Sequence, residues 1–145
     1  MKKIISILLL LLVLATTATA QDLTKVTDKT PEQLAEYMHP ETRHLAEMVV
    51  DVCKEHGVNA EFIAAVMRWE RRPDLHNWFG WSENGLVRFE SDEQCLDTVI
   101  PLIRKNYLEP DGIYYNGATV AGVSKFYNNT DFWRDTIAAE MERMK

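Results

Sequence analysis

The sequence predicts a mainly α-helical domain, α+β in class only through one small β-hairpin lobe. Three observations predict it. Apolar residues recur at helical spacing along most of the chain, as in Leu45, Met48, Val49 and Val52. Residues that cap helix N-termini stand at the head of these runs, Thr30, Asn59, Ser91 and Thr119 among them. The helical period fails between Trp78 and Phe89, where Asn84-Gly85 is the strongest short signal for a two-residue hairpin turn.

The first twenty residues read as a secretory signal peptide. Lys2 and Lys3 precede an apolar run from Ile4 to Ala15, and Ala18-Thr19-Ala20 supplies small residues for cleavage after Ala20. The expected location is therefore secreted or periplasmic. The run is shorter than the roughly 20 residues a membrane span needs, which argues against an integral membrane protein. Residues 21–145 then suit a single domain with one core, expected to act as a monomer. Loss of Lys2 and Lys3 takes the formal charge from −6 to −8, which disfavours nucleic acid as a partner and suits a neutral or cationic ligand. Cys53 and Cys95 are the only cysteines. In an oxidising compartment an even pair favours one disulfide, with two buried free thiols as the alternative. No metal-ligand spacing is present, and no cofactor is implied.

Thr30, Pro31 and Gln33 carry the marks of an N-cap, a proline at the first helical position and a capping-box partner. Gly57 closes the helix through Val52, where a left-handed residue costs least. Asn59 caps the next helix, in which Phe62, Ile63, Ala65, Val66, Met67 and Trp69 cover every face except a polar seam of Glu61 and Arg68. A helix apolar nearly all round is central, and Trp69 is expected in its core. The apolar residues around the hairpin turn, Phe79, Trp81, Leu86, Val87 and Phe89, are expected to form two short strands. Ser91 with Gln94 restarts a helix carrying Leu96, Val99, Ile100 and Ile103 on one face, and Pro101 inside it is expected to kink or divide it. Residues 110–117 form a turn-rich aromatic loop. Thr119 caps a short helix through Tyr127, and Asn129 or Thr130 caps the last one, which ends in acid–base pairs such as Glu140 and Arg143.

Glu70 is the residue most suggestive of chemistry. It lies seven beyond Ile63, continues the stripe of Ile63, Val66 and Met67, and so points from the core side of its helix toward whatever cleft lies at the helix end. A carboxyl group removed from water there could hold its proton as a general acid. The plainer alternative is a surface glutamate paired with Arg71 or Arg72. Trp78 and Trp81 stand on a loop, where each could expose an indole to a sugar ring or turn into the core. Tyr114 and Tyr115 could line an opposite wall, one of the two being buried. Asn77 either serves a substrate or holds the loop through its backbone. His76 reads as a loop histidine rather than a base.

The run Asn59 to Glu70, then Asn77-Trp78-Phe79-Gly80-Trp81, then Phe89-Glu90-Ser91, Tyr115-Asn116-Gly117 and Val123-Ser124-Lys125-Phe126-Tyr127 ahead of Trp133 resembles the bacterial glucosaminidase family of cell-wall autolysins and flagellar muralytic enzymes. The resemblance spans about residues 58–137. It implies a lysozyme-like fold, mostly helical with a small hairpin lobe, and an endo-β-N-acetylglucosaminidase acting on a glycan, with peptidoglycan the expected substrate. By resemblance Glu70 is the catalytic acid, Asn77, Trp78, Phe79 and Gly80 shape the cleft floor, and Tyr127 lies near the scissile bond; Trp81 and Tyr115 are expected as substrate contacts from their aromatic character alone. The chain departs from the family pattern in having Arg71 after the glutamate, a short loop before Asn77 and a trimmed hairpin. The sole acid between Trp78 and Phe89 is Glu83, the candidate second carboxylate. Without a partner acid in reach, the 2-acetamido group of the substrate could attack the anomeric carbon itself.

Other chemistries lack their motifs. No His-Glu-x-x-His element or glycine-rich phosphate loop occurs, and Gly122-Val123-Ser124-Lys125-Phe126 lacks the closing glycine of a nucleophile elbow. A glycan-binding module without turnover remains the second class of function, because a guanidinium at Arg71 beside Glu70 would favour its ionised form. A muramidase or lytic transglycosylase using Glu70 is the third reading.

Overall fold

Most helices begin at a capping side chain; the one starting at Ala46 follows Leu45, which makes no cap hydrogen bond. The computed structural model describes residues 20–145; residues 1–19, which carry the expected signal peptide, lie outside the described residues. Among the described residues the protein is mainly helical, with six α-helices and no strand. They are α1 (Pro31–Ala35), α2 (Ala46–His56), α3 (Ala60–Glu70), α4 (Asp92–Ile103), α5 (Val120–Tyr127) and α6 (Asp131–Arg143). None is long and apolar enough to cross a membrane.

Thr30 accepts from the Gln33 amide, and the Gln33 side chain accepts from the Thr30 amide at 2.9 Å, a complete capping box. Asn59, Ser91, Thr119 and Thr130 each accept the amide three residues on. Gly57 ends α2 with φ of 65°. Pro101 does not divide α4, which runs to Ile103 and passes directly into a π turn, Arg104–Leu108.

The core is built around α3. Phe62, Ile63, Ala65, Val66 and Met67 are wholly shielded, as a helix with apolar groups on all faces requires. It packs against α1, α2 and α6, while α2 also meets α4, and α5 meets α6. The segment before α1 is fastened to this centre. Leu23 is fully buried, donates to the Ala118 carbonyl and accepts from the Asn59 amide at 2.8 Å. Thr27 and Lys29 both reach Glu61, so one end of the α3 polar seam is neutralised there, and Arg68 at the other end pairs with Glu140 of α6 at 3.5 Å. Helix α5 lies backbone to backbone on the loop before it. A Cβ on Gly122 would fall on the carbonyl oxygens of Gly117 and Asn116, so only glycine permits that approach.

Three expectations are corrected. Cys53 and Cys95 are both free and fully buried, and they do not lie at disulfide distance. Each fills its core position as a small apolar group. Burial pushes both thiols up, that of Cys95 to about 12, so neither is a ready nucleophile. The two short strands and the two-residue turn do not form; a three-residue loop, Glu83 to Gly85, is closed by a single antiparallel bridge, Ser82 with Leu86, and by the Val87 amide donating to Trp81. A two-stranded ribbon this short has no third strand on which to bury a face, so the backbone settles into a closed loop. Trp69 is half exposed rather than core, because the last turn of α3 projects past the helices that cover Phe62 to Met67.

Candidate active site

The last turn of α3 delivers Glu70 to α6. The Trp133 indole N–H donates to Glu70 Oε1 at 2.6 Å. Trp133 is the third residue of α6, and its backbone amide is the one held by the Thr130 cap. The cap that starts α6 thus also fixes the residue that orients the carboxylate. Trp133 is buried and stacks on Tyr127, with ring centroids 5.3 Å apart and planes at 26°. The Tyr127 hydroxyl donates to the Phe79 carbonyl at 2.6 Å. The next residue, Gly80, returns the circuit to the start: a Cβ there would lie 3.2 Å from Glu70 Oε2 and 3.3 Å from the Glu70 carbonyl oxygen. Four chain segments therefore converge on one carboxyl group.

Burial, and then the neighbouring Glu70 carboxylate, pushes the Tyr127 hydroxyl well above its usual range. It remains a neutral phenol committed to the Phe79 carbonyl. It acts as a brace between α5 and the loop, and its ring supplies cleft surface.

Two pockets adjoin this junction. A cleft of about 470 Å³ is lined by Gly80, Trp81, Ser82 and Glu83 on one side and by Leu102, Asn106, Tyr107, Ile113, Tyr114, Phe126 and Tyr127 on the other. Its walls are aromatic: Tyr107 lies 5.1 Å from Tyr114 and 5.7 Å from Tyr127, and Tyr114 lies 5.8 Å from Phe126. A smaller pocket of about 130 Å³ is lined by Trp69, Glu70, Asn128, Phe132, Trp133 and Thr136. Glu70 lines the smaller pocket, and Gly80 is the residue that borders both the larger cleft and the carboxylate.

The other expected site residues are distributed unevenly. Gly80, Trp81, Glu83 and Tyr127 line the larger cleft, with Glu83 exposed on the turn at its rim. Asn77, Trp78 and Phe79 are buried and line neither pocket. The Asn77 amide donates to the carbonyls of Trp81 and Val87 and accepts from the amide of Trp81, with a longer contact from Phe79, so it organises the loop rather than facing a ligand. Trp78 turns its indole N–H to Asp92. Tyr114 and Tyr115 are both substantially exposed, so the expected burial of one of them does not occur, and Tyr115 lines neither pocket. His76 has a left-handed backbone and contacts Asp92, which also receives His44. Burial pushes the Asp92 carboxyl up, but hydrogen bonds from His76, Trp78 and His44 outweigh it and hold the group below its ordinary value.

Neither arginine expected as a plain partner of Glu70 takes that role. Arg71 turns back to the Arg68 carbonyl and pairs with Glu41 at 2.9 Å, and Arg72 pairs with Asp74.

Sequence reasoning did not assign Trp133 a role or single out Phe132, Tyr107 or Phe126. Trp133 had one local signal, its place three residues after a Thr cap, which fixes its direction but not its partner.

Gly80 gives a direct check on this geometry. Its φ of 59° is left-handed, and an added Cβ would crowd Glu70. Gly80→Ala is expected to cost about 1–2 kcal/mol of stability and to lower any Glu70-dependent activity by tenfold or more, read from thermal melts beside initial rates. An alanine variant as stable and active as wild type would show that the carboxyl position is not set by this contact.

No protein-family model matches the chain, and no curated protein matches it.

Proposed function

We propose that the protein is an exported glycoside hydrolase that cleaves β-1,4 linkages after N-acetylglucosamine in peptidoglycan or a related glycan, with Glu70 as general acid. One observation carries the reading: a single carboxyl group is held from one side by an indole donor, lines a small pocket, and lies on its other side against Gly80, which lines the aromatic cleft. An indole N–H only donates, so Oε1 accepts from it, and Oε2, the oxygen turned toward Gly80, is the one assigned to the substrate. Aromatic walls suit the apolar faces of pyranose rings. The turn of Arg71 toward Glu41 removes the specific reason for a silent module.

Glu83 lies at an exposed turn and makes no hydrogen bond or ion pair with the Glu70 assembly. The substrate's own 2-acetamido oxygen is therefore assigned the attack on the anomeric carbon as Glu70 protonates the leaving oxygen. Water then opens the resulting oxazolinium ring at the anomeric carbon, its proton returning to Glu70.

Digestion of purified peptidoglycan, with fragment ends identified by mass spectrometry, tests the proposal. Reducing N-acetylglucosamine ends are expected, and Glu83→Gln is expected to keep most of the turnover. A loss of about 100-fold in that variant would instead make Glu83 a full acid–base or nucleophilic partner. Anhydro-muramic ends would replace the assignment with a lytic transglycosylase, and binding without cleavage would mark a glycan-binding module.

A further inference from the structure

We propose that Trp69 and Phe132 form a separate sugar-ring subsite beyond Glu70, taking one N-acetylated hexose of the glycan chain; this rests on the glycosidase reading above. Large aromatic side chains are seldom left in water without cause, and here two meet. Trp69 is 49% exposed and Phe132 72% exposed, at the junction of α3 and α6. Their ring centroids are 6.2 Å apart with planes at 90°, so each steadies the other edge to face and an apolar corner stays open.

That corner is the wall of the smaller pocket, whose remaining lining is Glu70, Asn128, Trp133 and Thr136. An amide and a hydroxyl beside a flat apolar surface match the two aspects of a pyranose, its C–H face and its equatorial hydroxyls. At about 130 Å³ the pocket has under a third of the volume of the larger cleft, which suits one ring rather than a chain. Glu70 lines this pocket, and Gly80, whose Cβ would lie 3.2 Å from Glu70 Oε2, lines the larger cleft, so a glycan laid in the larger cleft and crossing Gly80 would bring its scissile oxygen to Glu70 and its next ring onto Trp69. Trp69 is thereby a binding and length-selecting residue.

The test uses protein carrying Glu70→Gln, which does not consume its ligand, titrated calorimetrically with chitin oligosaccharides of two to six units. Affinity is expected to rise with length, and Trp69→Ala or Phe132→Ala in that background to flatten the rise, weakening the longest oligomer about tenfold. Trp69→Phe, which keeps a ring, should restore most of the loss, and this separates stacking from mere damage to α3. Parent protein that binds the oligomers with a length dependence unchanged by either alanine overturns the subsite alone. Parent protein that binds no oligomer at any length overturns the glycan reading, and the subsite with it.

Discussion

Glu70→Gln is expected to lower turnover of peptidoglycan by about 1,000-fold while leaving the melting temperature within a few degrees of wild type. The substitution keeps shape and hydrogen bonding. The amide oxygen can still accept from the Trp133 indole N–H, which in the wild type donates to the carboxylate at 2.6 Å. What it removes is the carboxyl group that the proposed scheme uses to pass a proton to the leaving oxygen. In the proposed scheme no other side chain supplies that proton: the Tyr127 hydroxyl is held neutral and donates to Phe79, and Glu83 stands at the exposed rim. Glu70→Ala should fare worse in stability, because it leaves a buried indole N–H without an acceptor. Reducing-end release and a thermal melt on the same preparations decide the matter. A Glu70→Gln protein that cleaves at the wild-type rate would end the general-acid assignment.

Asn77→Ala is expected to destabilise the protein by about 3 kcal/mol or more, the largest loss anticipated from a single polar side chain here. Asn77 is fully buried and its amide makes bonds of 2.9 and 2.8 Å to the Trp81 and Val87 carbonyls while accepting from the Trp81 amide at 2.8 Å. Truncation strands these groups with no water to replace the amide. Asn77→Asp should be no better, since a carboxylate would face two carbonyl oxygens it cannot donate to. Because the same loop carries Gly80 and the Phe79 carbonyl, activity should fall along with stability. Urea unfolding midpoints measure the first effect. A change below about 0.5 kcal/mol would mean that the loop is held by other contacts.

The helix starts were legible because capping is a conversation within four residues. Thr30 with Gln33, Asn59 with Phe62, Ser91 with Gln94 and Thr119 with Gly122 each close their bonds locally, whatever the rest of the chain does. A chain reversal around Asn84-Gly85 was legible, but not its length: the bridge of Ser82 with Leu86 leaves a three-residue loop instead of the expected two-residue turn, and the strands expected beside it depend on a partner face that never arrives. Indole directions were not legible. Trp69 has the spacing of a core residue and Trp78 the address of an exposed loop, yet the first is half exposed and the second buried against Asp92, because burial depends on where neighbouring helices end. The two cysteines likewise satisfied the counting argument and failed the geometric one.

For the candidate site, sequence pointed to Glu70, Gly80, Trp81 and Tyr127, all of which border the junction. Helix period and loop punctuation pointed to Glu70 and Trp81, whereas Gly80 and Tyr127 came from the resemblance alone. The carboxylate's partner, the circuit from Trp133 through Tyr127 to Phe79, and the division into two pockets came from the tertiary structure alone. The two hydrogen bonds join residues 48 and 63 apart in the chain, and a bond across such a distance is set by how α3, α5 and α6 pack, which no short stretch of sequence encodes.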